Sequence, residues 1–110
     1  MNIKILFVCG RNKRRSRTAE KIFQNDQGCI AKSAGFSNSS PVKLSKNLIL
    51  WADLILVMEY KHSKRIKELF HEIDFPPIGV LNISDDYEFM DEELIKLLKS
   101  STKEMLEKYG

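Results

Sequence analysis

Four short apolar runs, separated by segments with helical spacing, limit what this chain can fold into more than any other feature. Residues 3–8, 54–58 and 78–83 are rich in Ile, Leu and Val and too short for helices, so they read as buried strands, and residues 29–34, closed by Gly35, read as a further strand. Between them lie helix-forming stretches. From Ser16 the apolar residues Ala19, Ile22 and Phe23 recur at helical spacing, and Asp26-Gln27-Gly28 supplies a stop. Ser40-Pro41 suits a helix N-cap and first position, with that helix running to about Trp51. A basic amphipathic helix then turns Ile66, Leu69 and Phe70 inward and is broken at Pro76-Pro77. In the C-terminal helix Met90, Leu94, Leu97, Leu98 and Met105 share a face, with Asp91, Glu92 and Glu93 early and lysines later, as the helix dipole favours. Strands alternating with helices predict a parallel sheet with helices on both faces, because right-handed crossovers place them there.

Composition narrows the class. With 110 residues, 43% of them hydrophobic, the chain is read as one domain, residues 1–110, that buries a core without staples. Cys9 and Cys29 are too few for a disulfide scaffold, and no Cys/His cluster suggests a metal site. The first apolar run is followed by Arg11, Lys13, Arg14, Arg15 and Arg17, which reverses the order of a signal peptide, and no run is long enough for a bilayer. A cytoplasmic protein with no membrane partner is expected.

The net charge of +3 is unevenly placed: residues 11–21 hold six basic groups against Glu20, a local +5 that leaves −2 for the rest. Such a segment attracts anions. Open parallel sheets bind ligands at the carboxyl ends of their strands. Three loops fall at that edge: residues 9–15, 58–62 and 84–88.

The first of these reads Cys9-Gly10-Arg11-Asn12-Lys13-Arg14-Arg15-Ser16, between a predicted strand and a predicted helix. Five residues between a thiol and a guanidinium can wrap into a ring whose backbone N–H groups point inward, closed by a helix N-terminus. A phosphate fits such a ring. The same positive field favours the Cys9 thiolate as a nucleophile. Arg15 adds bidentate hydrogen bonds that a lysine cannot reproduce. Ser16 is placed to donate to the sulfur and Asn12 to brace the loop, while Gly10, Arg11, Lys13 and Arg14 complete the phosphate-binding set.

In these residues the chain resembles the low-molecular-weight protein tyrosine phosphatases. Thr18-Ala19-Glu20, Lys32-Ser33-Ala34-Gly35, the stretch from Ala52 to Glu59 and Asp85-Asp86-Tyr87 look like that family's landmarks in its order, so the resemblance spans nearly the whole chain. It is nearest to a short bacterial subgroup of predicted tyrosine phosphatases. The resemblance implies a flavodoxin-like fold with a four-stranded parallel sheet, a reaction needing neither metal nor cofactor, and a phosphocysteine intermediate. It also makes Asp85 the general acid by position, with its neighbour Asp86 able to substitute. The family's usual Asp-Pro-Tyr/Phe is Asp-Asp-Tyr here, and the proline that often follows its Arg-Ser is Arg17. The chain is shorter in the middle, where the family builds much of its substrate rim.

Tyr87 is placed either to stack on an aromatic substrate or to make a rim contact. Cys29 and Trp51 are read as core residues, and His62 and His71 as surface residues rather than ligands. The expected partner is a phosphorylated protein, phosphotyrosine first, or a small phosphomonoester, with nucleic acid ranked behind both. The rival readings are an arsenate reductase, for which Cys29 alone is available as a relay, and a phosphocarrier like the IIB phosphotransferase domains, which lack an arginine at the position of Arg15. A catalytically weak domain that binds phosphate or nucleic acid is the non-enzymatic rival.

Overall fold

The computed structural model of the chain describes residues 3–24 and 28–109. The four apolar runs form strands β1 (Ile3–Cys9), β2 (Cys29–Gly35), β3 (Leu54–Val57) and β4 (Ile78–Val80). They build an all-parallel sheet in the order β2-β1-β3-β4. Interleaved helices are α1 (Arg15–Phe23), α2 (Lys46–Trp51), α3 (Tyr60–Leu69) and α4 (Glu92–Tyr109).

The central strands β1 and β3 are covered on both faces, which is why they read as continuous apolar runs rather than alternating ones. Successive side chains still point to opposite sides. Ile5, Phe7 and Cys9 enter a core with Ala19 and Phe23 of α1 and Leu94 and Leu98 of α4. Leu6 and Val8 enter a second core with Ile49 of α2 and Ile66 of α3. The Phe7 and Phe23 rings stack at 5.6 Å between centroids. Among the described residues no helix is long and apolar enough to cross a membrane.

Four elements differ from the sequence-based expectation: Met90, expected on the C-terminal helix, is left-handed at φ 63° and α4 starts only at Glu92. No helix begins at Ser40-Pro41: α2 starts at Lys46, capped by Ser45, whose side chain accepts from the Leu48 N–H at 3.3 Å. Residues 41–45 instead bend and form an isolated parallel bridge from Lys43 to Gly35, because Gly35 N–H donates to Val42 O (3.0 Å), Leu44 N–H donates to Gly35 O (2.8 Å), and Val42 N–H donates to the Asn12 side chain (3.2 Å). Those backbone groups are committed to β2 and the phosphate loop, so a helix cannot use them. The fourth strand ends at Val80 because Asn82 adopts the left-handed region at φ 58°, although Leu81 and Ile83 N–H groups still donate to Val57 and Met58 carbonyls. At α3, Ile66 is buried and Phe70, at its C-cap, packs half-buried on the second core as expected, but Leu69 faces solvent. Asp26 and Gln27, the expected stop of the first helix, lie outside the described residues, and α1 ends at Phe23.

Cys29 is half-buried against the first core and Trp51 against the second, with the Lys32 ammonium 4.5 Å from the Trp51 ring centroid. The chain leaves β1 toward β2 on one side and takes up β3 on the other. A switch point therefore falls at the carboxyl end of β1, where a ligand site belongs.

Candidate active site

β1 ends at Cys9, whose side chain turns into the first core and is 4% exposed. The chain reverses through Asn12, buried and left-handed at φ 54°, a conformation asparagine tolerates better than most residues. Asn12 is bonded on all sides. Its N–H donates to Cys9 Sγ (3.2 Å), its Nδ2 donates to Ser16 Oγ (2.8 Å), and its Oδ1 accepts from Val42 N–H. Ser16 Oγ lies 3.0 Å from Cys9 Sγ. Because that oxygen already accepts from Asn12, its own hydrogen is free to point at the sulfur. Two donors thus converge on Cys9.

α1 opens directly from this loop with Arg14 at its N-cap, no side-chain cap and no acid in its first turn. A helix start usually carries Ser, Thr, Asp or Asn to occupy its unbonded N–H groups. Here no side chain occupies them, and Arg14 and Arg15 at this helix start line the cleft.

Arg15 is 4% exposed and held from two other loops. Its Nη1 donates to Glu59 Oε2 and to the Ile83 carbonyl, both at 2.7 Å, and its Nε lies 3.6 Å from Asp85 Oδ1. The hydrogen bond from Arg15 holds the Glu59 carboxyl below the ordinary glutamate range, against its desolvation. Glu59 also caps α3: its backbone carbonyl accepts from the His62 N–H at 3.0 Å, and its own N–H donates to His62 Nδ1 at 3.1 Å. One residue therefore sets both the guanidinium and the imidazole.

His62 is buried, contrary to its expected surface role, and stacks on Phe36 at 5.8 Å between ring centroids. Burial and then the nearby Arg15 charge push its pKa down to about 4. The ring is neutral at pH 7, and with Nδ1 accepting, its hydrogen sits on Nε2.

These groups enclose a cleft of about 560 Å³ lined by Cys9, Gly10, Arg11, Lys13, Arg14, Arg15 and Asp85, with Phe36, Lys61, His62 and Arg65. Seven expected site residues thus meet in one cavity. Asn12 and Ser16 lie beneath it as supports. Asp86 and Tyr87 do not line it: Asp86 accepts from the Ser84 hydroxyl at 3.0 Å, and Tyr87 packs half-buried against the first core. Adjacent loop residues point in different directions, which separates Asp85 from Asp86. Glu59, Lys61 and His62 belong to the 58–62 loop expected at this edge but were not named as site residues, and Phe36 and Arg65 were not expected there at all. The available signal was Glu59-x-x-His62, a reciprocal capping pair directly after a strand at the ligand edge.

Two buried contacts position the loops. Gly35 approaches the phosphate loop so closely that a Cβ there would lie 2.6 Å from Asn12 N and 2.8 Å from Arg11 C, and would also strike Ser40 Oγ. Thr18 Oγ1, buried on α1, accepts from Met90 N–H at 3.0 Å and ties down the far end of the Asp85 loop. Among the described residues no group of three His, Cys, Asp or Glu side chains could hold a metal ion.

No protein-family model and no curated protein matches the sequence. Solved structures do. The chain is 26% identical to the YwlE arginine phosphatase from Geobacillus stearothermophilus, over 96% of this chain and 94% of that one, with a TM-score of 0.68. It is 25% identical over the full length of both chains to the tyrosine phosphatase Wzb from Escherichia coli K30 in complex with phosphate, with a TM-score of 0.69. A low molecular weight protein tyrosine phosphatase from Streptococcus pyogenes superposes with a TM-score of 0.75 at 16% identity, covering 100% of this chain and 94% of that one. In fold, and in sequence at 25% and 26% identity over nearly the whole chain, the protein is thus similar to phosphatases of the low-molecular-weight protein tyrosine phosphatase kind.

Proposed function

We propose that the chain hydrolyses a phosphate monoester, with protein phosphotyrosine as the favoured substrate, through a phosphocysteine formed on Cys9. The observation that carries this reading is the placement of Cys9 Sγ at the floor of a cationic cleft, with the Ser16 hydroxyl and Asn12 N–H converging on it. Both donors stabilise the thiolate. That thiolate attacks phosphorus in line, forming an S–P bond as the bond to the leaving oxygen breaks. Both described hydrogen bonds of Arg15 leave from Nη1, so its Nε and Nη2 edge is the one that meets the equatorial oxygens, together with the loop N–H groups. Asp85 protonates the departing oxygen. The resulting carboxylate takes a proton from water, the water oxygen bonds to phosphorus, the S–P bond breaks, and inorganic phosphate leaves with the thiolate restored.

The depth of Cys9 supports a phosphate carried at the tip of a long side chain, and the Phe36–His62 wall offers an aromatic surface to a tyrosyl ring. A phosphoguanidino group would instead bring a cationic leaving group into a mouth holding Arg11, Lys13, Arg14, Lys61 and Arg65. A phosphorylated active-site serine in a Cys-to-Ser mutant of a YwlE arginine phosphatase supports covalent transfer at the equivalent place. The arsenate-reductase alternative is disfavoured by register. Cys9 pairs with Gly35 but Cys29 pairs with Ile3, six strand positions away or roughly 20 Å, far beyond disulfide reach.

The test is turnover of phenyl phosphate and of a phosphotyrosyl peptide by the wild type and by Cys9→Ser. The serine variant should lose at least about a thousandfold in kcat while still binding phosphate, because an alcohol is a far weaker acid than a thiol. Near-normal turnover by Cys9→Ser would overturn the reading.

A further inference from the structure

The mouth of the cleft carries more positive charge than one phosphate requires. At the floor, the scissile group has the loop N–H groups and the buried Arg15. Above it stand five exposed cations, Arg11, Lys13 and Arg14 from the phosphate loop and Lys61 and Arg65 from α3, against a single lining carboxylate, Asp85, that already faces Arg15. Arg14 reaches Glu88 only at 3.9 Å and Lys61 reaches Glu59 only at 4.0 Å. Arg11, Lys13 and Arg65 take part in no ion pair among the described residues. Arg65 is also held in place, its guanidinium 5.0 Å above the Phe36 ring. Like charges gathered around one opening repel one another, so an anion that binds there relieves that repulsion as well as gaining its own attraction.

Resting on the phosphatase reading, we propose that this rim docks acidic side chains flanking a phosphotyrosine, so that the substrate is a phosphotyrosyl polypeptide segment rich in Asp and Glu. The cations come from two elements, the phosphate loop and α3. A chain laid across the mouth therefore meets positive charge on both sides of its phosphorylated residue. Nucleic acid fits less well for two reasons. Cys9, 4% exposed, is reached by a terminal phosphate on an arm and not by a diester within a backbone. The aromatic surface of the cleft is one small wall, Phe36 with His62 and Arg65 against it, which can meet a single ring but does not supply the run of separate stacking platforms that holds successive bases of a strand.

The experiment compares matched phosphotyrosyl peptides with acidic, neutral and basic flanks. It measures kcat/KM with the wild type and Kd with Cys9→Ser, at low and at high ionic strength. Acidic flanks should be favoured over neutral ones by about tenfold at low salt, the preference shrinking severalfold as salt screens the rim. In Lys61→Glu/Arg65→Glu the preference should fall or invert. Equal kcat/KM and Kd for acidic and neutral peptides, with phenyl phosphate still hydrolysed, would overturn the docking inference and leave the phosphatase reading standing. Selective capture of the acidic peptide by Cys9→Ser without turnover of any ester by the wild type would support the docking surface and overturn the catalytic reading. A single-stranded oligonucleotide binding Cys9→Ser more tightly than the acidic phosphopeptide would assign the rim to nucleic acid and overturn the inference.

Discussion

Asn12 shows how much one side chain can carry at this site. Its left-handed backbone turns the loop, its N–H meets the Cys9 sulfur, and its amide joins Ser16 to the segment that follows β2. Glycine would allow the turn and keep the N–H bond to Cys9, but would lose the side-chain bonds to Ser16 and Val42. The same logic distinguishes the two acidic neighbours. Asp85 lines the cleft beside Arg15, whereas Asp86 is engaged with Ser84. Asp85→Asn should therefore slow an alkyl or unsubstituted phenyl phosphate by on the order of 10²–10⁴-fold, the usual size of acid–base catalysis, and an activated nitrophenyl phosphate much less. Asp86→Asn should cost far less with either. A kcat/KM series over leaving-group pKa decides it: a uniform loss in Asp85→Asn removes that residue from the acid role, and a leaving-group-dependent loss only in Asp86→Asn transfers the role.

At the scale of elements, the site is a meeting of loop ends that other elements hold in place. β2 presses on the phosphate loop through Gly35, which needs no special φ but has no room for a methyl group. Gly35→Ala should displace the Asn12 and Arg11 backbone, lowering stability by about 1–3 kcal/mol as overpacked sites do. It should also lower kcat/KM more than that loss of fold explains, read at a temperature where the variant remains folded. α1 has a comparable duty at Thr18. Thr18→Val keeps the shape but leaves the part-buried Met90 N–H without its acceptor, a loss of about 1 kcal/mol. The freed loop should cost more with poor leaving groups, which need Asp85, than with activated ones. Equal effects on both would mean that Thr18 serves only stability.

For the whole molecule, the two faces of the sheet converge on one edge, and stability is linked to the chemistry there through His62. Its unfolded pKa is near 6.5 and its folded value about 4, so between those values the unfolded chain binds the extra proton. The corresponding stability is fully present above pH 6.5 and is lost as pH falls toward 4, at up to about 1.4 kcal/mol per pH unit for one proton. Glu59, lowered by Arg15, adds stability present above 4.5 that is lost as pH falls through its folded value. His62→Asn keeps a side-chain acceptor near the Glu59 N–H and removes the titration. Denaturant melts should therefore show a flatter stability profile between pH 6.5 and 4 in that variant, and an unchanged slope would mean that His62 is not the group responsible.

Much of this arrangement was legible in the chain itself. The apolar runs were long enough for strands and too short for helices, their alternation with helical spacing demanded a parallel sheet, and Cys9 and Arg15 stood at a strand-to-helix junction. Each of those facts rests on near neighbours in sequence. Local signals misled where a distant partner outcompeted them: Ser40-Pro41 reads as a helix start, but β2 and Asn12 claim the backbone that follows, and Ser45 caps the helix instead. His62, on a basic helix, reads as a surface residue until Glu59 and Phe36 bury it. Patterns among near neighbours were enough for the kind of fold and for the pairing of Cys9 with Arg15 in one loop. Which aspartate faces the cleft, which glutamate holds Arg15 and which cations ring the mouth follow instead from packing, because they depend on contacts between residues some forty to seventy positions apart.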